Sequence, residues 1–188
     1  MTLRRAIFFD RDGVICENRP DHVKSWDEFV FIPGALDAMQ KIAASDFVLL
    51  VTTNQAAIAR GMTTDAIVRD IHARMTDAIT EHGGRLDAIY FCPHLPEANC
   101  NCRKPRTGMY EQGKREWDID FAQSYVIGDS ERDIGAAYAI GAQPILVLTG
   151  VGNQHHARLI ENHYSGYHVV EDLRAAIEWI LEREKSLR

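Results

Sequence analysis

Residues 6–15, AIFFDRDGVI, join four apolar residues, Ala6 to Phe9, to a run of charge and glycine, Asp10-Arg11-Asp12-Gly13. A short continuous apolar run predicts a strand buried on both faces, as found in a parallel sheet covered by helices. Ligands of such sheets bind beyond the carboxyl ends of the strands, where Asp10 and Asp12 fall. Two carboxylates one residue apart can converge on a single cation or phosphate. They can equally belong to a capped turn.

The same alternation continues outward from this stretch. Residues 34–45, GALDAMQKIAAS, predict a helix with Leu36, Met39, Ile42 and Ala43 on one face, and residues 47–52, FVLLVT, a second strand. Residues 63–84, TTDAIVRDIHARMTDAITEHGG, predict a helix capped by Thr63 or Thr64 and ended by Gly83-Gly84, with Ile67, Ile71, Met75 and Ile79 every fourth residue. Further strands are predicted at Ala88–Phe91, Ser124–Gly128 and Pro144–Leu148, and helices around Met109–Trp117 and Asp133–Ile140. A last unit, HVV followed by LRAAIEWILERE, closes the pattern, and residues 150–166 are the least patterned stretch. Strands alternating with helices in this way predict a parallel sheet with helices on both faces.

At 188 residues the chain is most simply one domain with its own core. An apolar fraction of 46% and a charged fraction of 26% are ordinary for a soluble globular protein, and a net charge of -6 argues mildly against nucleic acid or anionic membrane as partner. No apolar run is long enough to span a bilayer, and charge arrives too early in MTLRRAIFFDRDG for a signal peptide, so a cytoplasmic protein is expected.

Two more predicted strand ends carry polar chemistry. Thr52-Thr53-Asn54-Gln55 offers hydroxyl and amide groups for an oxyanion, or is simply a polar loop. Gly128-Asp129-Ser130-Glu131-Arg132-Asp133 offers two carboxylates, one of which could instead cap a helix. Lys104 adds a cation. Asp10, Asp12 and Asp129 brought together would repel unless a cation such as Mg²⁺ neutralised them, and a carboxylate can attack phosphorus. The conjunction suits phosphoryl transfer.

Three of the four cysteines lie with His94 in residues 91–105, FCPHLPEANCNCRKP. Cys92-x-His94 and Cys100-x-Cys102 each place two ligands on one side of an extended chain. Three thiolates and one imidazole complete a tetrahedral Zn²⁺ shell and leave no open position, so this metal is expected to be structural. Cys16 stands apart with nothing to activate it. His155, His156 and His163 are expected at the surface, Trp26, Trp117 and Trp179 in packing, and EREKSLR as a solvated helix end.

FFDRDGVI, TTNQAAIARG, the CPH and CNCRKPRTGM segments and VIGDSERDIGAA, in this order, resemble the haloacid dehalogenase superfamily of phosphatases over about residues 7–148. Within it they are similar to the branch holding heptose 1,7-bisphosphate 7-phosphatases and histidinol-phosphatases. The resemblance implies an α/β, three-layer Rossmann-like fold with a parallel sheet flanked by helices, no cap domain and a zinc loop at 92–102. It implies that Asp10 is the nucleophile and Asp12 the acid and base, with Thr53 and Lys104 stabilising the transferring group. Mg²⁺ would be held by Asp10, the Asp12 carbonyl and Asp129, supported by Asp133; Cys92, His94, Cys100 and Cys102 would hold Zn²⁺. Arg11, Asn54, Arg103 and Lys104 are expected against substrate. Where a lysine can follow the motif aspartate in this branch, the chain has Ser130, which leaves the substrate open.

The gaps between motifs leave no room for a cap, so specificity falls to residues 16–26, residues 54–61 and the zinc loop. A small phosphorylated sugar is the expected substrate and a monomer the expected state. Histidinol phosphate and a nucleic-acid 3′-phosphate are alternative substrates, and a zinc-stabilised scaffold without activity is the non-enzyme alternative. Lys104→Ala is expected to cost activity in a folded protein.

Overall fold

The computed structural model describes residues 3–186. Six strands, β1 (Ala6–Phe9), β2 (Val48–Asn54), β3 (Ala88–Cys92), β4 (Tyr125–Gly128), β5 (Gln143–Val147) and β6 (His168–Val170), form one sheet in the order β3-β2-β1-β4-β5-β6. Every pairing is parallel. The six helices between and after them are α1 (Ala35–Ile42), α2 (Asp65–Glu81), α3 (Gly108–Trp117), α4 (Glu131–Ile140), α5 (Gly152–Glu161) and α6 (Leu173–Ser186).

All four residues of β1 are buried, because both faces of the sheet are covered. Ile7 and Phe9 pack with apolar residues of α1, α2 and α6, while Ala6 and Phe8 pack with Met109 and Tyr110 of α3 and Ala136 and Ala137 of α4. This is the three-layer α/β arrangement expected from the sequence. Chain order reverses at β1, which lies between β2 and β4, so a crevice opens at the carboxyl ends of these strands.

Several elements differ in detail from expectation. In α2, Thr64 is the cap, its hydroxyl accepting from the Ile67 amide at 3.2 Å, a contact worth about 1 kcal/mol. Val68 is buried and Ile67 is 41% exposed. A strict four-residue spacing drifts around a helix of 3.6 residues per turn, so the stripe through Ile71, Met75 and Ile79 is extended by the residue three positions back. The buried face of α1 is likewise Ala35, Ala38, Met39 and Ile42, with Leu36 and Ala43 at its margin.

The weakly patterned residues 150–166 contain α5, whose buried positions are Gly152, His155 and Leu159. Only one of the three is a large apolar side chain, which is why no periodicity shows. His155 is not the surface residue expected: it is buried, and its Nδ1 accepts from the Glu131 amide at 3.3 Å. At the other end Glu184 is not solvated. It pairs with Arg5 and accepts from the Tyr125 hydroxyl at 2.8 Å; Leu187 and Arg188, the end of EREKSLR, lie outside the described residues. Among the described residues no helix is long and apolar enough to cross a membrane.

Candidate active site

Asp10 follows β1 directly, and its amide donates to the Ile127 carbonyl at 2.9 Å, so pairing with β4 aims it out of the sheet. Lys104 Nζ lies 3.0 Å from Asp10 Oδ2 and 2.5 Å from Asp133 Oδ1, and donates to the Thr52 carbonyl at 2.8 Å. The ammonium is 2% exposed, so its charge acts on the two carboxylates with little screening by water. Asn54 holds the lysine's backbone from both sides. Its Oδ1 accepts from the Lys104 amide at 3.0 Å and its Nδ2 donates to the Lys104 carbonyl at 3.3 Å. Asn54 borders the cavity, but its amide is engaged with Lys104 rather than free for substrate, as the sequence suggested.

Asp129 follows β4 and is buried, with Oδ2 accepting from the Val151 amide at 3.0 Å. Its seat needs glycine at position 13: a Cβ there would stand 1.9 Å from Asp129 Oδ2, and the φ of +86° is a left-handed conformation. Gly128 is required for the same reason, since its Cβ would lie 2.2 Å from Asp133. Asp133 also accepts from the Ser130 hydroxyl at 2.5 Å and the Ser130 amide at 3.2 Å, closing a capping box at the start of α4.

Carboxylate oxygens of Asp10, Asp129 and Asp133 all lie within 4.8 Å of one another. Burial, then the charges of Asp10 and Asp133, push Asp129 up to about 8; burial outweighs Lys104 at Asp10 and raises it to about 6. One ammonium therefore does not neutralise three clustered carboxylates. Hard oxygen donors with surplus negative charge fit a Mg²⁺-type cation.

The Asp12 carboxylate is not part of this cluster. Arg11 Nη2 donates to its Oδ1 at 2.8 Å and Oδ2 at 3.0 Å, and Gln55 Nε2 donates to Oδ2 at 2.8 Å. The Cys16 thiol approaches Oδ1 at 3.6 Å. Burial works to raise Asp12, but these donors, Arg11 foremost, outweigh it and hold the carboxyl below the usual range. Gln55 also donates to Thr53 Oγ1 at 2.9 Å, tying the two strand ends together. Arg11 was expected against substrate. It borders the cavity, but its side chain is fully buried, with the guanidinium engaged by Asp12, Gln55 and His72. Burial and the Asp12 charge drive the Cys16 thiol upward, so it is no activated nucleophile.

Thr53, Asn54, Arg103, Lys104 and Asp129 border one cavity of about 160 Å³ with Asp10 and Asp12. Asn18, Arg19, His22 and Val23 complete it from the loop before Trp26, which is braced where Trp26 stacks on Phe29 at 5.0 Å. Of the expected specificity loops, residues 16–26 and 54–61 meet there, while the zinc loop reaches the cavity only through Arg103 and Lys104 that follow it. Gln55 was noted at its strand end as an amide for an oxyanion but given no role, and His72, Ser130 and Arg132 were not among the expected site residues. Nothing in the pattern of α2 separates His72 from an ordinary core position.

Cys92 ends β3, opposite Asn54 in the β2 register, and the Gln55 amide donates to its carbonyl at 2.7 Å. Its Sγ lies 3.6 Å from both Cys100 Sγ and His94 Nδ1 and 3.1 Å from Cys102 Sγ; Cys102 Sγ is 3.4 Å from Cys100 Sγ and 3.3 Å from His94 Nδ1. A tetrahedral Zn²⁺ with metal–sulfur bonds of about 2.3 Å has edges of roughly 3.5–3.8 Å, so the four donors could hold one ion. Arg103 leaves this loop with Nη1 donating to the His94 carbonyl at 3.1 Å.

Comparison with known proteins places this geometry among relatives. The HAD-hydrolase-like family model matches residues 101–176. The D-glycero-β-D-manno-heptose-1,7-bisphosphate 7-phosphatase of Bordetella bronchiseptica is 41% identical over 180 residues, covering 95% of this chain and 98% of the relative. The enzyme of that name from Pseudomonas aeruginosa is 38% identical over 79% of this chain and 84% of its own. Among solved structures, the B. bronchiseptica D,D-heptose 1,7-bisphosphate phosphatase, crystallised with magnesium and phosphate, superposes with a TM-score of 0.89 at 39% identity. It covers 95% of this chain and 99% of that one. The corresponding protein of Burkholderia thailandensis gives a TM-score of 0.73 at 34% identity over 95% and 99%.

Proposed function

The chain belongs to the haloacid dehalogenase-like phosphatases, and on that premise we propose that it hydrolyses the 7-phosphate of D-glycero-D-manno-heptose 1,7-bisphosphate in the cytoplasm. The observation that carries this reading is the Asp10 carboxylate held by Lys104 Nζ at 3.0 Å where both line the cavity. The relatives named for this substrate match the chain almost end to end.

In the proposed reaction, Asp10 Oδ attacks phosphorus and forms an aspartyl-phosphate while the bond to the sugar oxygen breaks. Asp12 gives that oxygen a proton, then takes one from the water that attacks the aspartyl-phosphate, releasing inorganic phosphate and restoring Asp10. Asp12 is ionised beside Arg11; as substrate binds it takes a proton from solvent, its affinity raised by the negative charge of the phosphate, and after the second step it returns to solvent the proton taken from water. Lys104 and the Thr53 hydroxyl stabilise charge on the transferring group, with the main-chain grip of Asn54 holding Lys104 in place. Arg103 meets the substrate at the rim. Mg²⁺, held by Asp10, the Asp12 carbonyl and Asp129, would neutralise phosphoryl charge; Asp133 orients Lys104 and supports this set.

The metal of the Cys92, His94, Cys100 and Cys102 loop is proposed to be structural Zn²⁺, fixing the direction of Arg103 and Lys104. The protein is proposed to act as a single capless domain over residues 1–188, as a monomer. A phosphate-release panel with Mg²⁺ tests the assignment, comparing both heptose bisphosphate anomers, histidinol phosphate and a 3′-phosphorylated oligonucleotide. The heptose bisphosphates should be preferred and Asp10→Asn should be inactive. Preference for the oligonucleotide, or an Asp10→Asn variant as fast as the wild type, would overturn it.

A further inference from the structure

We infer that His72 is a positioning residue for Asp12 and acts through Arg11, its ring holding one arm of the guanidinium so that the other faces the carboxylate. The inference rests on the phosphatase reading, in which Asp12 moves the protons.

A guanidinium is a planar, rigid fork, so fixing one terminal nitrogen fixes the direction of the other. Arg11 Nη2 is taken up by Asp12 and by Gln55 Oε1 at 3.0 Å. Its Nε has no hydrogen-bond partner among the described residues. Its Nη1 lies 3.2 Å from His72 Nε2. Since arginine has only hydrogens to offer, Nε2 must be the acceptor, and the ring carries its proton on Nδ1. The orientation of the fork is therefore set by Asp12 and Gln55 on one arm and by His72 on the other.

His72 is itself well held. It is 5% exposed on α2, and the edge of its ring meets Phe91 at 5.4 Å with 69° between the planes. It does not border the cavity, so it reaches no substrate and can act only through Arg11. A neutral imidazole also suits the position chemically. It supplies an acceptor without a negative charge that would compete with Asp12 for the guanidinium, or a positive one that would repel it.

Loss of the acceptor would leave a buried N–H unpaired and free the fork to turn towards another partner. Asp12 would then lose its set direction. In the first half of the reaction the damage should be greatest where the departing oxygen needs a proton, as a sugar alkoxide does, and smallest where it leaves as nitrophenolate; hydrolysis of the aspartyl-phosphate is common to both.

The test compares His72→Leu, which removes the acceptor, with His72→Gln, whose amide oxygen restores one. Each is assayed with Mg²⁺ on the sugar phosphate that the wild type hydrolyses best and on p-nitrophenyl phosphate. His72→Leu should lower kcat/KM, which reads only the steps through departure of the leaving group, by roughly tenfold or more on the sugar phosphate and by less than about threefold on the aryl ester. His72→Gln should recover most of the loss, and His72→Leu should add nothing once Arg11 is replaced by Met. Equal losses on both substrates, no loss on either, or an additive effect beside Arg11→Met would overturn the inference. If the Leu variant does not fold, His72→Met removes the ring acceptor in its place and is read by the same outcomes. A wild type that hydrolyses neither substrate would remove the phosphatase reading and this inference together, a result distinct from the others.

Discussion

Lys104 Nζ bridges Asp10 and Asp133, 3.0 Å from one carboxylate and 2.5 Å from the other, at a site where almost no water reaches the ammonium. The two carboxylates also draw its pKa upward against the pull of burial, so the lysine stays charged throughout the working range. Its role is thus structural as well as chemical. Lys104→Ala should lower kcat by about 10²–10³ through lost charge stabilisation. The substitution also leaves buried carboxylates unpaired, which costs roughly 3–5 kcal/mol of stability. The sequence suggested a variant that loses activity in a folded protein; the burial of Lys104 adds a loss of stability to that expectation. Denaturant unfolding alongside phosphate release distinguishes these, and a variant as stable as the wild type would contradict the argument.

Asp129 ties metal binding to pH. Its raised value, about 8, means that the folded metal-free chain holds a proton that the unfolded chain gives up near pH 4. The stability from this group is complete below about pH 4 and is lost as pH rises through about 8. A cation that takes the proton's place reverses that trend, because it binds the ionised form. Mg²⁺ should therefore raise Tm more at pH 8 than at pH 6, approaching about 2.7 kcal/mol at a hundred times its Kd. Equal shifts at both pH values would count against a site built on Asp129.

The Cys92, His94, Cys100 and Cys102 loop should carry one metal ion per chain that survives dialysis against Mg²⁺ buffer. Cys102→Ser should lose that ion and impair stability and activity together, because Arg103 and Lys104 follow the ligand directly in sequence. Elemental analysis with thermal unfolding checks this. A protein free of zinc and fully active would exclude a structural zinc.

His72 should also mark the acid limb of stability. Burial, reinforced by the Arg11 charge, pushes its pKa down to about 3, against about 6.5 in an unfolded chain. Below pH 6.5 the unfolded chain takes a proton that the folded chain refuses, so this residue costs roughly 1.4 kcal/mol of stability per pH unit until about pH 3. His72→Gln, which cannot titrate, should gain about 2 kcal/mol relative to the wild type between pH 7 and pH 5. Urea unfolding at the two pH values measures the difference. No relative gain would mean that the histidine is already charged in the folded chain.

Local pattern determined a large part of this protein. Four apolar residues running into Asp10-Arg11-Asp12-Gly13 identified a buried strand with a polar end, because a strand covered on both faces has no solvent side to alternate with. The spacing of Cys92, His94, Cys100 and Cys102 marked a cluster of four donors able to hold a metal, since ligands close in sequence need little folding to converge. Helix α5 escaped notice because its buried face is made of Gly152, His155 and Leu159, with only one large apolar side chain among them.

Only the tertiary structure decided which polar groups are free and which are spent. Asn54 grips the Lys104 main chain, and Arg11 lies wholly buried between Asp12, Gln55 and His72. Asp133 faces Lys104 at 2.5 Å. These partners come from the ends of β1 and β2, from helices α2 and α4, and from the loop before α3. Hydrogen bonds and charge pairs act over about 3 Å, and residues far apart in the chain come within that range only when the sheet closes.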